Sequence, residues 1–263
     1  MHWYTGDPVY DSVLTAAFVF AAFVIIAGFF GQSSYGRFAS PKLGFNLNPR
    51  FGWWLMEIPA TVVFALTYLS GPARCEPTSL VLAGIWVLHY ANRGWFFPLA
   101  IRQMPGKRST FNLSVVVMGM AVTAMHGYLN GALFSHDYLH RYDTGWLTDP
   151  RFLIGVVLYL CGFVLLVHSE AIVRHLRAKN DPGAAEYRIP YGGAFRFVTS
   201  PAYLGELIAW SGFAVLTWAL PGVAILLITA GNLIPRALQT QRWYEQKFVD
   251  YPTDRKALIP FLL

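Results

Sequence analysis

The sequence predicts an all-α integral membrane protein: a single domain over residues 1–263, folded as a bundle of about seven transmembrane helices, N-terminus outside and C-terminus cytoplasmic. Three observations carry this expectation. Of 263 residues, 55% are hydrophobic and 13% charged, and the mean hydropathy of +0.42 is too apolar for an ordinary soluble domain. The apolar residues fall in runs able to cross roughly 30 Å of hydrocarbon at about 1.5 Å per helical residue. Lysine and arginine alternate between loops: sixteen of the twenty fall on one side, three (Arg74, Arg141, Arg151) on the other, and Arg93 lies within a run.

Taken in order, Ser12 to Tyr35 is uncharged and makes the first helix. Phe51 to Ala73 is apolar apart from Glu57, Pro77 to Ile101 apart from Arg93, and Ser109 to His136 is uncharged; these are the second, third and fourth. Phe152 to Ser169 is the fifth. Phe197 to Pro235 holds one charge, Glu206, and is long enough for two spans turning near Trp218 to Gly222. Trp53, Trp54, Trp146, Trp218 and Trp243 sit near run ends, as interfacial anchors do.

The remaining composition narrows the function. Cys75 and Cys161 lie in or beside different runs without metal-ligand spacing, so neither a disulfide framework nor a metal site is expected. Met1 to Tyr4 carries no basic region or cleavage signal, and the first run is expected to be retained. The net charge of +6 belongs to loops between spans, which favours membrane topology over nucleic acid. No Rossmann or P-loop fingerprint occurs, so any nucleotide is held between helix ends.

Charges inside spans are costly, so Glu57, Arg93 and Glu206 mark a polar cavity, unless they only pair with one another or snorkel to an interface. Tyr90 and Arg93 are three apart and share a helical face, where a guanidinium favours a hydrogen-donating phenol suited to polarising a carbonyl. A tyrosine in a span is also an ordinary packing residue, and His89 beside it is read as structural. Arg174 to Arg196 gathers five basic residues around Tyr187 to Gly193; these can bind diphosphate and a ribose 2′-phosphate, or merely obey the charge bias or touch anionic lipid.

At these residues the chain resembles the steroid 5α-reductase family, from about Trp53 to Leu263. Tyr187 to Phe195, continued by Tyr203-Leu-Gly-Glu206 and Thr217-Trp218, is similar to the family's long C-terminal signature. Trp243-Tyr244, Phe248 to Pro252 and Arg255 to Phe261 resemble its terminus. Glu57-Ile58-Pro59, His89-Tyr90, Thr148 to Phe152 and His168 to Glu170 match shorter motifs. The resemblance implies NADPH-dependent reduction of the double bond of 3-oxo-Δ4 steroids within a seven-helix bundle, with most of the cofactor site in residues 150–263. Carried over, Glu57 and Tyr90 hold the substrate ketone and stabilise the developing enolate, and Trp53 contacts the steroid. Glu206 meets the nicotinamide end, Arg93 joins the cofactor set, and Arg102, Glu170, Arg174, Arg177, Tyr187, Arg188, Arg236 and Tyr244 hold phosphates and adenosine. The expected partners are a steroid or sterol-like lipid arriving laterally and the membrane itself, of bacterial inner-membrane or endoplasmic-reticulum type, with no obligate protein partner. The sequence departs from the family at Met56, Leu166, Ala202 and Thr240, where polar residues are usual.

Three other readings compete. One is the same chemistry on another lipid enone, a polyprenol or an enoyl thioester. The second is a membrane methyltransferase using S-adenosylmethionine, and the third a non-catalytic scaffold or transporter whose buried charges only pair helices.

Overall fold

The protein is described from a computed structural model covering residues 4–31, 38, 45–102, 111–136, 138, 140–176 and 187–263. Helix α1 (Pro8–Phe30) starts a turn earlier than its apolar run, because the Asp7 carboxylate accepts from the Val9 and Tyr10 amides and Pro8 needs no partner for its nitrogen. Residues 32–37, where the run was expected to end, lie outside the described set. Helix α2 (Pro49–Ser70) is capped by Asn48 and stops before Gly71, short of the expected Ala73, where the chain passes against Ser135.

Helix α3 (Pro77–Tyr90) does not end at Tyr90. It runs through a π-helical turn, Ala91–Phe96, into a last turn, Phe97–Ala100. Strands β1 (Asn46–Leu47) and β2 (Phe111–Asn112) pair antiparallel, Asn46 facing Asn112, and lead into α2 and α4 (Leu113–His136). The fold is therefore mostly helical, with this short ladder added.

Helix α5 (Pro150–His175) extends beyond the expected Ser169, carrying Glu170 and Arg174 on an extra turn and a half. Helix α6 (Pro201–Thr217) ends on Trp218, a left-handed residue with φ 46° whose amide still donates to the Ala214 carbonyl. Helix α7 (Leu220–Lys247) follows at once and continues well past Pro235, so the expected turn near Trp218 is present and the expected end is not.

By length and composition α1, α2, α4, α5 and α7 can each cross a membrane; the uninterrupted α-helical parts of α3 and α6 are shorter, at 14 and 17 residues. Apolar side chains also face outward, among them Phe23 and Phe29 of α1 and Val157 and Val164 of α5. Such a surface suits hydrocarbon rather than water, and the architecture is that of a multi-pass membrane protein.

Packing is tightest between α5 and α6, which run antiparallel with Gly155 and Gly162 against Gly212 and Gly205. A Cβ on Gly212 would stand 2.3 Å from the Tyr159 nitrogen, and one on Gly162 would stand 2.5 Å from the Gly205 carbonyl oxygen. Small residues permit this backbone approach, which replaces the hydrophobic drive that lipid does not supply. Helix α1 packs along α7 and comes backbone to backbone with it where Gly28 crosses Gly231. The core between these seams holds Trp86, Phe134, Tyr159 and Phe213.

Candidate active site

The three charges that sequence places inside spans meet. Arg93, in the π turn of α3, sets its Nε 3.5 Å from Glu57 Oε1 on α2 and its Nη2 3.6 Å from Glu206 Oε1 on α6. Glu57 and Glu206 are only 5% and 7% exposed, so their pairing occurs where water is scarce. The guanidinium lies 4.5 Å from the centre of the Trp53 ring, which covers its other face. The wide turn also brings Gly94 against Glu57, where a Cβ would be 3.4 Å from the glutamate's own. The helix-pairing alternative is thus present as geometry.

Two cavities border it. The first, about 400 Å³, is walled by α1, α4 and α7 and receives Trp53, Glu57, Tyr90, Arg93 and Glu206. Its walls are predominantly apolar, with Phe20, Val115, Met118 and Ile228 among them. Tyr90 is 3% exposed and packs on Trp86, ring centres 4.7 Å apart, which fixes the phenol at the cavity wall. Tyr90 and Arg93 share the cavity, as their spacing on one helix leads one to expect.

The second cavity, about 350 Å³, is lined by Arg102, Glu170, Arg174, Arg236 and Tyr244, besides Arg93 and Glu206. Arg236 Nε donates to the Tyr203 hydroxyl at 2.8 Å, and Arg102 Nη1 to the Arg174 carbonyl at 3.3 Å. Such interactions aim long side chains that would otherwise be mobile. The guanidinium groups of Arg102, Arg174 and Arg236, beyond the paired Arg93, suit phosphate oxygens, which they match in charge and planar geometry. The C-terminal tail braces the segment that lines this cavity from behind: Val198 bridges to Lys256, Thr199 Oγ1 lies 2.6 Å from the Tyr251 hydroxyl, and Arg255 Nη1 donates to the Pro190 carbonyl at 3.0 Å.

Trp53, Arg93, Phe111, Glu206, Leu233 and Arg236 line both cavities, so Arg93 and Glu206 of the charge cluster stand between an apolar chamber and a second one, also largely apolar in lining, that carries four arginines. Tyr187 and Arg188 line neither; the Tyr187 ring packs edge-on against Trp243 at 4.9 Å. Arg177 lies outside the described residues. The departures named above fall on the cavity walls, Met56 in the first and Leu166, Ala202 and Thr240 in the second. Trp210 in the first cavity and Tyr203 in the second were not expected from sequence; each is one helical turn from Glu206, and that spacing was the available signal.

The profile of the 3-oxo-5-alpha-steroid 4-dehydrogenase family matches residues 109–263. The chain is 40% identical over 248 residues to 3-oxo-5-alpha-steroid 4-dehydrogenase 1 of Mus musculus, covering 93% of either protein. It is 35% identical over 259 residues to steroid 5-alpha-reductase DET2 of Gossypium hirsutum, covering 98% of this chain and 99% of that one. With 3-oxo-5-alpha-steroid 4-dehydrogenase 1 of Homo sapiens it shares 36% identity over 234 residues, 88% of this chain and 86% of the human protein.

Proposed function

Because the chain belongs to the 3-oxo-5-alpha-steroid 4-dehydrogenase family, an oxidoreductase family, we propose that it reduces the Δ4 double bond of 3-oxo steroids with NADPH. The observation that carries this reading is the partition: Glu57 and Tyr90 face an apolar chamber that shares a wall with an arginine-lined one.

The residues of the second cavity fit NADPH. Arg102, Arg174 and Arg236 suit its phosphates, and Ser200 Oγ is buried there without a hydrogen-bond partner among the described residues. NADPH supplies the hydride when bound. Glu206 would face the nicotinamide end, while Arg102, Glu170, Arg174, Arg236 and Tyr244 would hold phosphates and adenosine; Arg177 would join them on family resemblance alone.

The first cavity takes the flat apolar skeleton, with Trp53 against it. Tyr90 and Glu57 address the ketone oxygen, where negative charge builds as the β-carbon gains a hydride, and donors already aimed there lower the barrier. Two carboxylates face one guanidinium, so the cluster is neutral when it holds one proton, and that proton is the one offered to the ketone. The α-carbon then takes a proton from water as the oxygen returns its own to the cluster, which completes the saturated 3-oxo product.

The same reading takes α3 with its π turn, and α6, as two further spans, giving seven in one domain. The cationic cavity then opens to the cytoplasm, on the side where most lysine and arginine lie. The test is direct: purified protein in lipid is given NADPH and a 3-oxo-Δ4 steroid, and loss of reduced nicotinamide is followed alongside the steroid product. Failure to saturate any conjugated ketone steroid overturns the proposal, and methyl transfer from S-adenosylmethionine would replace it.

A further inference from the structure

The segment after α7 doubles back onto the helices. The Lys256 amide donates to the Phe197 carbonyl at 3.1 Å, and the Thr199 and Ser200 amides donate to the Lys256 and Ala257 carbonyls at 2.8 and 3.1 Å. Ala257 and Leu258 are then buried in a cluster with Ala237, packed by Leu204 and Leu207 of α6 and Ile234 and Leu238 of α7. Helix geometry gives the depth of this contact. Ile234 and Leu238 stand about 14 to 20 Å of helix before the α7 end at Lys247, while Leu204 and Leu207 lie about one to two turns inside α6 from Pro201. The tail has therefore returned to the level where α7 passes from apolar residues to Arg236, Gln239 and Arg242, which is where a span meets the membrane boundary.

What the tail presents at that level is apolar. It closes a turn over Leu258–Leu263, the Leu258 and Ile259 amides donating to the Leu263 main-chain oxygen at 2.7 and 2.8 Å and the Leu263 amide to the Ile259 carbonyl at 3.1 Å. Phe261 and Leu262 project from this turn, 85% and 76% exposed, and the exposed Phe197 ring, 6.0 Å from that of Phe261, extends the same patch. Phe261 also takes φ 65°, in the left-handed region that glycine fills without strain. In water both the strain and the exposure are unfavourable; in hydrocarbon the ring is in its preferred phase, and a turn that pairs its own amides leaves fewer backbone groups to dehydrate. Arg196, its guanidinium 5.9 Å from the Phe197 ring, and the exposed Lys256 flank the patch. We propose that the turn Leu258–Leu263 is a membrane anchor: Phe261, Leu262 and Phe197 enter the phospholipid leaflet on the side where α6 begins, and Arg196 and Lys256 meet its headgroup phosphates. The anchored tail is the one that holds Thr199 and Ser200, on the wall of the second cavity, so the lipid surface takes part in bracing that wall. Such seating does not depend on the proposed reaction.

The experiment places a nitroxide label at Phe261→Cys in protein whose two exposed cysteines are replaced, Cys75→Ser and Cys161→Ser, and which is reconstituted in phosphatidylcholine vesicles. Collisions of the label with oxygen, which concentrates in hydrocarbon, are compared with its collisions with a water-soluble nickel chelate. Val164→Cys, exposed on α5, serves as the lipid reference, and Val249→Cys, exposed past the end of α7, as the aqueous one. The ratio of oxygen to nickel collisions at Phe261→Cys is expected to exceed that at Val249→Cys several-fold and to approach that at Val164→Cys. A ratio no higher than at Val249→Cys overturns the inference. Exclusion of both reagents also overturns it, and spin–spin broadening would then identify a second copy of the chain as what covers the patch. Melting temperature reports folding, and Leu262→Cys takes the place of Phe261→Cys if that variant unfolds. Steroid reduction is not measured, so failure of the proposed function would leave the result standing.

Discussion

Helices α5 and α6 meet backbone to backbone at two glycine pairs, whereas α1 meets α7 in that way at one, Gly28 on Gly231, and turns much of its surface outward. The first seam supports the cationic cavity, through Leu166, Glu170 and Arg174 on α5 and Tyr203 and Glu206 on α6; the second walls the apolar one. On the proposed assignment, the half that would hold a large, charged cofactor contains the seam with two glycine pairs, and the half that would admit a rigid lipid is bounded by the seam with one.

The strongest way to break this contrast is to add one methyl group to each seam. Gly212→Ala should cost about 3 kcal/mol, because the Tyr159 backbone 2.3 Å from the new carbon cannot yield; thermal unfolding in detergent measures it. The two chambers should also fail differently in catalysis. Tyr90→Phe should lower kcat by about a hundredfold with NADPH binding intact, as loss of an oxyanion donor does. Arg174→Ala should raise the KM for NADPH by about tenfold and leave kcat near wild type, since it removes a phosphate partner only. Gly28→Ala should cost under about 1 kcal/mol, since α1 can move outward to relieve the approach to Gly231; a loss equal to that of Gly212→Ala would show the two seams to be equivalent.

The smallest effect lies at the start of α5. Asp149 accepts from the Arg151 amide at 2.8 Å and side chain at 2.7 Å, and the Arg151 hydrogen bond pulls its carboxyl down from 3.8 to about 2. A depressed folded value means stabilisation that is complete above the ordinary carboxylate range and is lost as pH falls through the folded one. Asp149→Asn should therefore lower the melting temperature slightly at neutral pH, and its deficit should vanish between pH 3.8 and about 2.

Much of this was legible before any coordinates. The runs located the helices, and the turn at Trp218 follows from length, since one run was too long for a single crossing. Helix ends were harder, for two reasons. Asp7 and Asp149 start α1 and α5 ahead of their apolar residues, a capping signal that hydropathy does not weigh. At the other end α5 and α7 keep winding after hydropathy falls, because the turns that carry Arg174 and Tyr244 serve the cavity rather than the bilayer. Glu57, Arg93 and Glu206 were legible as a group since charge in a span is rare; that one guanidinium bridges both carboxylates was not, because this depends on which way three different helices face.

The π turn from Ala91 to Phe96 has an evolutionary and engineering corollary. Such a turn accommodates roughly one residue more than regular winding, so deleting a single residue there would repair the hydrogen-bond ladder while rotating everything beyond it by about 100° and drawing it back about 1.5 Å. Hydropathy and span length would hardly register the deletion, yet Arg93 would swing away from its two carboxylates. The charge cluster depends on a blemish in a helix, and a shortened version of that helix would be the better-formed rod without the cluster.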